Sequence, residues 1–241
     1  MVLLHGFSGT RRAWDGVITR LDRERYLSLA LDVPGHGQAP EADGALSFAG
    51  CVSSVLAQAP ASFTLGGYSM GGRVALHVAL AAPERVARLV LIACSPGIED
   101  PAERAVRRAS DRALADELEQ GSFEEFIERW RTQPLFAAEP PAVGELARTD
   151  QRRNRPERLA AALCGLGTGE MEPLWARLGA LEMPVTVVVG ERDQKYRALG
   201  QRMVELLRHG ELRVVAGGHG LPLENPAAVA RALEGADAGA A

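Results

Sequence analysis

Short apolar runs alternate along this chain with stretches whose apolar residues recur at helical spacing, and that alternation admits few folds. The runs are Met1–Leu4, Tyr26–Leu31, Phe63–Leu65, Arg88–Ala93, Val185–Val189 and Leu212–Val215. Helical patterns cover Phe48–Leu56, Val74–Leu80, Ala198–Arg208 and, after the last run, Pro226–Leu233. Strands separated by helices need crossover connections, and these join parallel neighbours. RLVLIA, Arg88–Ala93, is almost wholly apolar, as expected of a strand covered on both faces. From Gly97 to about Ala180 the strand pattern disappears; charged helical stretches take over, broken by Gly121, Pro134, Pro140, Pro141, Pro156 and Gly165–Gly169. The expected architecture is therefore α/β: a mostly parallel sheet flanked by helices. Its core is residues 1–96 and 181–241, and a helical cap, residues 97–180, is inserted after the fourth predicted strand. The small-residue tail GADAGAA is expected to fray.

Composition removes several classes of function. The chain of 241 residues has 31 acidic and 27 basic residues and a net charge of −4, without a basic block, which argues against a nucleic-acid footprint. No apolar run approaches the roughly 18 residues of a membrane-spanning helix, and the first residues lack the basic flank of a signal peptide. The three cysteines, Cys51, Cys94 and Cys164, have no metal-ligand spacing and read as buried thiols of a cytoplasmic protein. The basic residues are arginines except Lys195, so the arginine content by itself says nothing about function.

The chemistry is carried by Gly67-Tyr68-Ser69-Met70-Gly71, a G-x-S-x-G pattern between a predicted strand and a predicted helix. A serine on so tight a turn is exposed in strained backbone, and small neighbours let strand and helix approach. A serine hydroxyl needs a base, and the base an orienting acid. Of the five histidines, His77 falls inside the helix after Ser69, His209 at a helix end, His36 in the Pro-Gly-His-Gly turn and His5 at the end of the first strand. His219, in Gly-Gly-His-Gly just past the last strand, lies where open α/β sheets bind ligands and is the best base. Asp193 follows the fifth strand and is the candidate acid. The order Ser69, Asp193, His219 is that of α/β-hydrolases. The backbone N–H groups of Met70 and Phe7 are the candidate oxyanion donors.

LHGFSG (Leu4–Gly9), DVPGHG (Asp32–Gly37), GYSMGGR (Gly67–Arg73), SPGIEDPAERAVRRASD (Ser95–Asp111), W-x3-PLF (Trp130–Phe136), GTG (Gly167–Gly169) and GERDQKYRAL (Gly190–Leu199) carry a closer resemblance. Over nearly its whole length the chain resembles α/β-hydrolases and, within them, the 2-succinyl-6-hydroxy-2,4-cyclohexadiene-1-carboxylate synthases of menaquinone biosynthesis. The resemblance implies a lyase that eliminates pyruvate from 2-succinyl-5-enolpyruvyl-6-hydroxy-3-cyclohexene-1-carboxylate. Ser69, backed by His219 and Asp193, would remove a ring proton, with no metal or cofactor. The partner is then a small substrate with several carboxylates, which suits bidentate guanidiniums. Arg73 stands four residues after Ser69 on the same helix side; Arg107 matches the family's second substrate arginine, with Arg104 one turn away. Tyr68 and Trp130 match pocket positions, and Lys195 adds a charge at the mouth.

The departures are as informative. Where the family carries a third arginine, the simplest alignment places Gln151, followed by Arg152 and Arg153; Arg152 is the chosen candidate. Cys164 stands where an arginine is common, and Leu221–Glu224 lacks a second histidine that relatives often have. The chain starts at what should be the fold's third strand, the preceding hairpin missing, which would leave Met1–Leu4 near a sheet edge. Structural alternatives stand beside each role: Arg73 paired with a surface carboxylate, Trp130 as cap core, Lys195 solvated. Two other functions compete. One is a serine hydrolase of esters, thioesters or C–C bonds with Ser69 as nucleophile; the other is a non-catalytic ligand-binding scaffold. A neutral ester needs no set of arginines, whereas a polycarboxylate needs several.

Overall fold

A computed structural model describes residues 1–41 and 44–235. The chain begins with β1 (Val2–Leu4), a short α1 (Asp15–Ile18) and β2 (Leu29–Leu31), followed by α2 (Phe48–Gln58) and β3 (Phe63–Tyr68). Then come α3 (Met70–Ala81) and β4 (Val86–Ile92). Four helices separate β4 from the next strand: α4 (Pro101–Gln120), α5 (Phe123–Arg131), α6 (Pro141–Gln151) and α7 (Pro156–Leu166). The chain ends with β5 (Val185–Gly190), α8 (Gln194–Leu206), β6 (Gly210–Val215), α9 (Leu221–Glu224) and α10 (Pro226–Glu234).

The strands form one six-stranded sheet in the order β2-β1-β3-β4-β5-β6, and every pair in it is parallel. Alternate residues serve opposite faces. Val2, Leu4, Leu89, Leu91, Val185 and Val187 join the core under α2, α3 and α8. Leu3, Val90, Ile92 and Val188 join a second core against α10. A third cluster, including Leu118, Phe126, Ile127, Leu159 and Leu163, lies wholly within the helices between β4 and β5. The first of these helices starts on Asp100, whose side chain accepts from the Glu103 amide, with Pro101 in the first turn where its missing N–H goes unneeded.

Met1–Leu4 lies one strand in from a sheet edge: β1 pairs with β2 on one side and β3 on the other, because the chain crosses back to lay β2 outside it. The edges are β2 and β6, and both keep exposed residues. Other expectations are corrected. Cys51 and Cys94 are buried, but Cys164 is exposed, since α7 buries Leu159, Ala160 and Leu163 and turns Cys164 outward. The β3 strand and α3 run into the glycines that the sequence pattern leaves unassigned, meeting at Ser69. The end of the GADAGAA tail lies outside the described residues.

Phe126 is 1% exposed at the centre of the third cluster. Phe126→Ala is expected to lower stability by about 3–5 kcal/mol in urea unfolding, through lost burial and the cavity left behind.

Candidate active site

Ser69 sits between the last residue of β3 and the first of α3, with φ 52° and ψ −111°. This left-handed backbone is disfavoured for a residue with a Cβ. It is held by the Ser69 N–H donating to the Ile92 carbonyl (2.9 Å) and by its own carbonyl accepting from the Arg73 N–H (3.2 Å). The turn closes only because nothing projects from Gly67, Gly71 and Gly72. A Cβ on Gly71 would strike the Leu4 carbonyl, and one on Gly67 the backbone of Gly71.

The partners arrive from the carboxyl ends of two other strands. Asp193, just past β5, is the N-cap of α8: one carboxylate oxygen accepts from the Tyr196 N–H (3.3 Å) and the other from His219 Nδ1 (2.8 Å). With Nδ1–H committed to Asp193, Nε2 of His219 is the acceptor that faces Ser69 Oγ at 3.2 Å. Asp193 and His219 are almost fully buried. The imidazole lies among the rings of Tyr196, Tyr68 and Phe136, with centroids 4.6, 5.4 and 6.0 Å away. This is the arrangement of a serine activated, or used as a proton acceptor, through a histidine.

Met70 heads α3, where its N–H has no intrahelical acceptor. Neither it nor the Phe7 N–H donates to any group among the described residues. The loop carrying Phe7 is braced from two directions. Behind it, His5 donates from Nδ1 to the Gly6 carbonyl (2.8 Å) and accepts the Val33 N–H on Nε2 (3.0 Å). From α6, Asp150 accepts the Thr10 N–H (2.7 Å) and hydroxyl (2.5 Å), and Gln151 donates to Ser8 Oγ (2.8 Å). Asn154, in the turn after α6, donates to the Ser8 carbonyl (2.8 Å). Asp150 and Asn154 had no sequence signal beyond their place near the cap arginines.

Ser69, Met70, His219 and Asp193 line a cavity of about 510 Å³, together with Phe7, Arg73, Arg107, Trp130, Lys195 and Tyr196. Arg73 is 7% exposed; one nitrogen donates to the Leu166 carbonyl (3.1 Å), and Nε has no partner. No carboxylate among the described residues pairs with it. Burial lowers its pKa, yet a guanidinium keeps its proton. Arg107 reaches the same cavity while its Nε donates to the buried Asp111 (2.8 Å). Trp130 serves both cavity and packing, with its ring 5.0 Å from Phe7 and 5.9 Å from Phe126. Lys195 is exposed at the margin, its ammonium 5.9 Å from the Tyr196 ring.

Other candidates fall elsewhere. Arg152 does not reach the cavity; its guanidinium turns across to Glu124 (3.1 Å) and Glu145, while Arg153 turns to Asp150. Of that trio only Gln151 points inward. Arg104 binds the Ile98 carbonyl and Glu172 outside the cavity. Tyr68 packs against Gly6 and lines a separate space of about 50 Å³ behind Phe7, and burial raises its pKa. No group of three or more His, Cys, Asp or Glu side chains among the described residues is placed to hold a metal. Tyr196 and Glu224 line the main cavity and went unseen, because an aromatic or acidic residue near a motif has no signature of its own.

A parallel sheet with a serine on the strand-to-helix turn and its acid and histidine beyond later strands defines a class. Residues 1–232 match the alpha/beta hydrolase family, to which the chain belongs. Two relatives narrow this. A putative 2-succinyl-6-hydroxy-2,4-cyclohexadiene-1-carboxylate synthase of Bacillus subtilis is 34% identical over 237 residues, 94% of this chain and 85% of its own. The synthase of that name from Klebsiella pneumoniae is 34% identical over 242 residues, 97% of this chain and 91% of its own. Among solved structures, MenH from S. aureus superposes with a TM-score of 0.90 at 30% identity, covering 97% of this chain and 91% of that one. The chain is thus a member of the 2-succinyl-6-hydroxy-2,4-cyclohexadiene-1-carboxylate synthase family.

Two outcomes are expected. Asp193→Asn should leave His219 in the wrong tautomer and slow phosphonylation of Ser69 by a fluorophosphonate on the order of 10⁴-fold. His5 and His36 are buried, and desolvation lowers both pKa values. The unfolded chain therefore binds more protons, so their contribution is complete above about pH 6.5 and falls as pH drops below it, by up to about 1.4 kcal/mol per pH unit for each histidine. Urea midpoints measured between pH 7 and 5 should fall accordingly, and less steeply in His36→Gln.

Proposed function

We propose that this protein eliminates pyruvate from 2-succinyl-5-enolpyruvyl-6-hydroxy-3-cyclohexene-1-carboxylate, using Ser69, His219 and Asp193 as its base. The names of substrate and product locate the chemistry. The 3-ene becomes a 2,4-diene, so the proton leaves the ring carbon that bears the succinyl group. Ser69 Oγ takes that proton as His219 Nε2 takes the serine's, with Asp193 stabilising the imidazolium. The electron pair moves into the ring, shifts the double bond and breaks the bond from the ring carbon to the enolpyruvyl oxygen, which leaves with the pair as the enolate of pyruvate. A proton taken up at its methylene carbon gives pyruvate, and loss of the proton held by His219 restores the base. Negative charge builds on the succinyl carbonyl, which the Met70 and Phe7 amides would receive.

One observation carries this reading: the buried Arg73 guanidinium has no carboxylate partner among the described residues and shares a cavity with the serine and histidine. A buried, unpaired charge is unfavourable unless a ligand pairs with it. A neutral ester would leave it unpaired; a substrate carboxylate would not. Arg107 adds a second cation there, and Lys195 a third at the margin. Tyr68, one step removed, supports His219 and the Phe7 loop from behind. Residues 97–180 act as the cap that brings Arg107 and Trp130 to the substrate. No helix among the described residues is long and apolar enough to cross a membrane, and we place the protein in the cytoplasm, acting on a small anionic substrate without nucleic acid.

Enzymatically generated substrate, with pyruvate read by coupled lactate dehydrogenase, tests the reading. Pyruvate should form far faster than the spontaneous background; background-rate release with rapid turnover of p-nitrophenyl esters would establish a hydrolase instead. Arg73→Met should lower kcat/KM by about 10- to 150-fold, the range for losing a charged hydrogen bond. Arg152→Ala should stay within about twofold, as expected of an exposed ion pair.

A further inference from the structure

The loop that carries the histidine, Ala216-Gly217-Gly218-His219-Gly220, is mostly glycine and has little side-chain packing of its own. Such a segment has much backbone freedom to lose, yet His219 Nε2 must stay within reach of Ser69. The restraint comes from α9. One oxygen of Glu224 accepts the Gly218 N–H (2.8 Å) and the other the Gly220 N–H (3.0 Å), so a single carboxylate bridges the amides on either side of His219. The first oxygen also accepts from the Arg192 guanidinium (2.5 Å). Arg192 directly precedes Asp193, and its own N–H donates to the Gly217 carbonyl (3.0 Å). The Glu224 side chain is 3% exposed and that of Arg192 46%, so the cation reaches the buried carboxylate from the solvent side.

We propose that Glu224, neutralised by Arg192, is a positioning residue that sets His219 between Ser69 and Asp193 by clamping both flanking amides, and ties the acid-bearing loop to the histidine-bearing loop. The clamp is specific to a carboxylate. A glutamine of the same shape has one acceptor and one donor end. Whichever way it turns, one glycine N–H faces another N–H, and Arg192 loses its anion. The effect falls on alignment within the triad, not on the substrate's carboxylates, which Arg73 and Arg107 face.

The inference rests on the reading of Ser69, His219 and Asp193 as the working triad but not on the identity of the substrate, and the test keeps the two apart. Glu224→Gln should lower kcat for pyruvate release by about 10- to 100-fold, with KM within about twofold. Phosphonylation of Ser69 by a fluorophosphonate, which forms the Oγ–P bond and expels fluoride without any carboxylate recognition, should slow by a similar factor. Arg192→Met retains both amide bonds and should slow labelling less, about two- to fivefold, with no further loss when added to Glu224→Gln. All rates are taken below the thermal midpoint of each variant. Wild-type labelling and kcat in folded Glu224→Gln would overturn the proposal. So would a loss confined to KM, or a double variant whose losses multiply. If the wild-type protein labels readily but releases no pyruvate, the substrate assignment fails and the clamp is still judged on labelling.

Discussion

The contact on which the rest depends is the approach of α3 to the ends of β1 and β3. Gly71 lies against the Leu4 carbonyl and Gly67 against Gly71, and only backbones without side chains pack this closely. The consequence is geometric. The chain leaves β3 and enters a helix with one residue between, and that residue, Ser69, takes up the turn in left-handed backbone. The unfavourable conformation persists because the Ile92 carbonyl and the first turn of α3 hold both of its peptide groups. The same turn lifts the serine oxygen above the sheet and leaves the first amide of α3 without an acceptor.

From that fixed point the other groups are placed by loops that are themselves tied down. Asp193 is immobilised by capping α8, and so presents one oxygen to His219. The Phe7 loop has no regular structure, but it is stitched to α6 through Asp150 and Gln151 and to the following turn through Asn154. The helices inserted between β4 and β5 therefore do more than cover the cavity. They hold the loop that supplies one of the two free amides, so displacing α6 would disturb the proposed oxyanion donors as well as opening the mouth.

Much of this was legible in the sequence because it follows from local rules. Alternating apolar runs and helical spacing fix a parallel sheet, and glycines around a serine between strand and helix mark the turn. What could not be read is whatever depends on which way a side chain points across space. Gln151, Arg152 and Arg153 are neighbours in sequence, and one is buried against Ser8 while the others turn to Glu124 and Asp150. The edge position of β2 follows from a crossover that no residue of Met1–Leu4 encodes. Glu224 was invisible for a similar reason: its role lies in meeting two backbone amides four and six residues before it, a pattern without a side-chain signature.

The arginine-rich composition sharpens the point about charge. Many of these guanidiniums are held by a carboxylate at the surface, as Arg129 is by Glu117 and Arg202 by Glu99, and such pairs contribute little. Counting arginines thus cannot locate a binding site in this chain. Burial without a partner can. Among the described residues, Arg73 is buried, bonds only a carbonyl and keeps its charge, while Arg107 spends one nitrogen on Asp111 and leaves the rest of its fork free. The protein tolerates the desolvation of Arg73 in the same cavity that holds the serine and the histidine. A neutral side chain there would be more stable in the empty protein, and the retained charge is what the proposed carboxylate substrate would pair with.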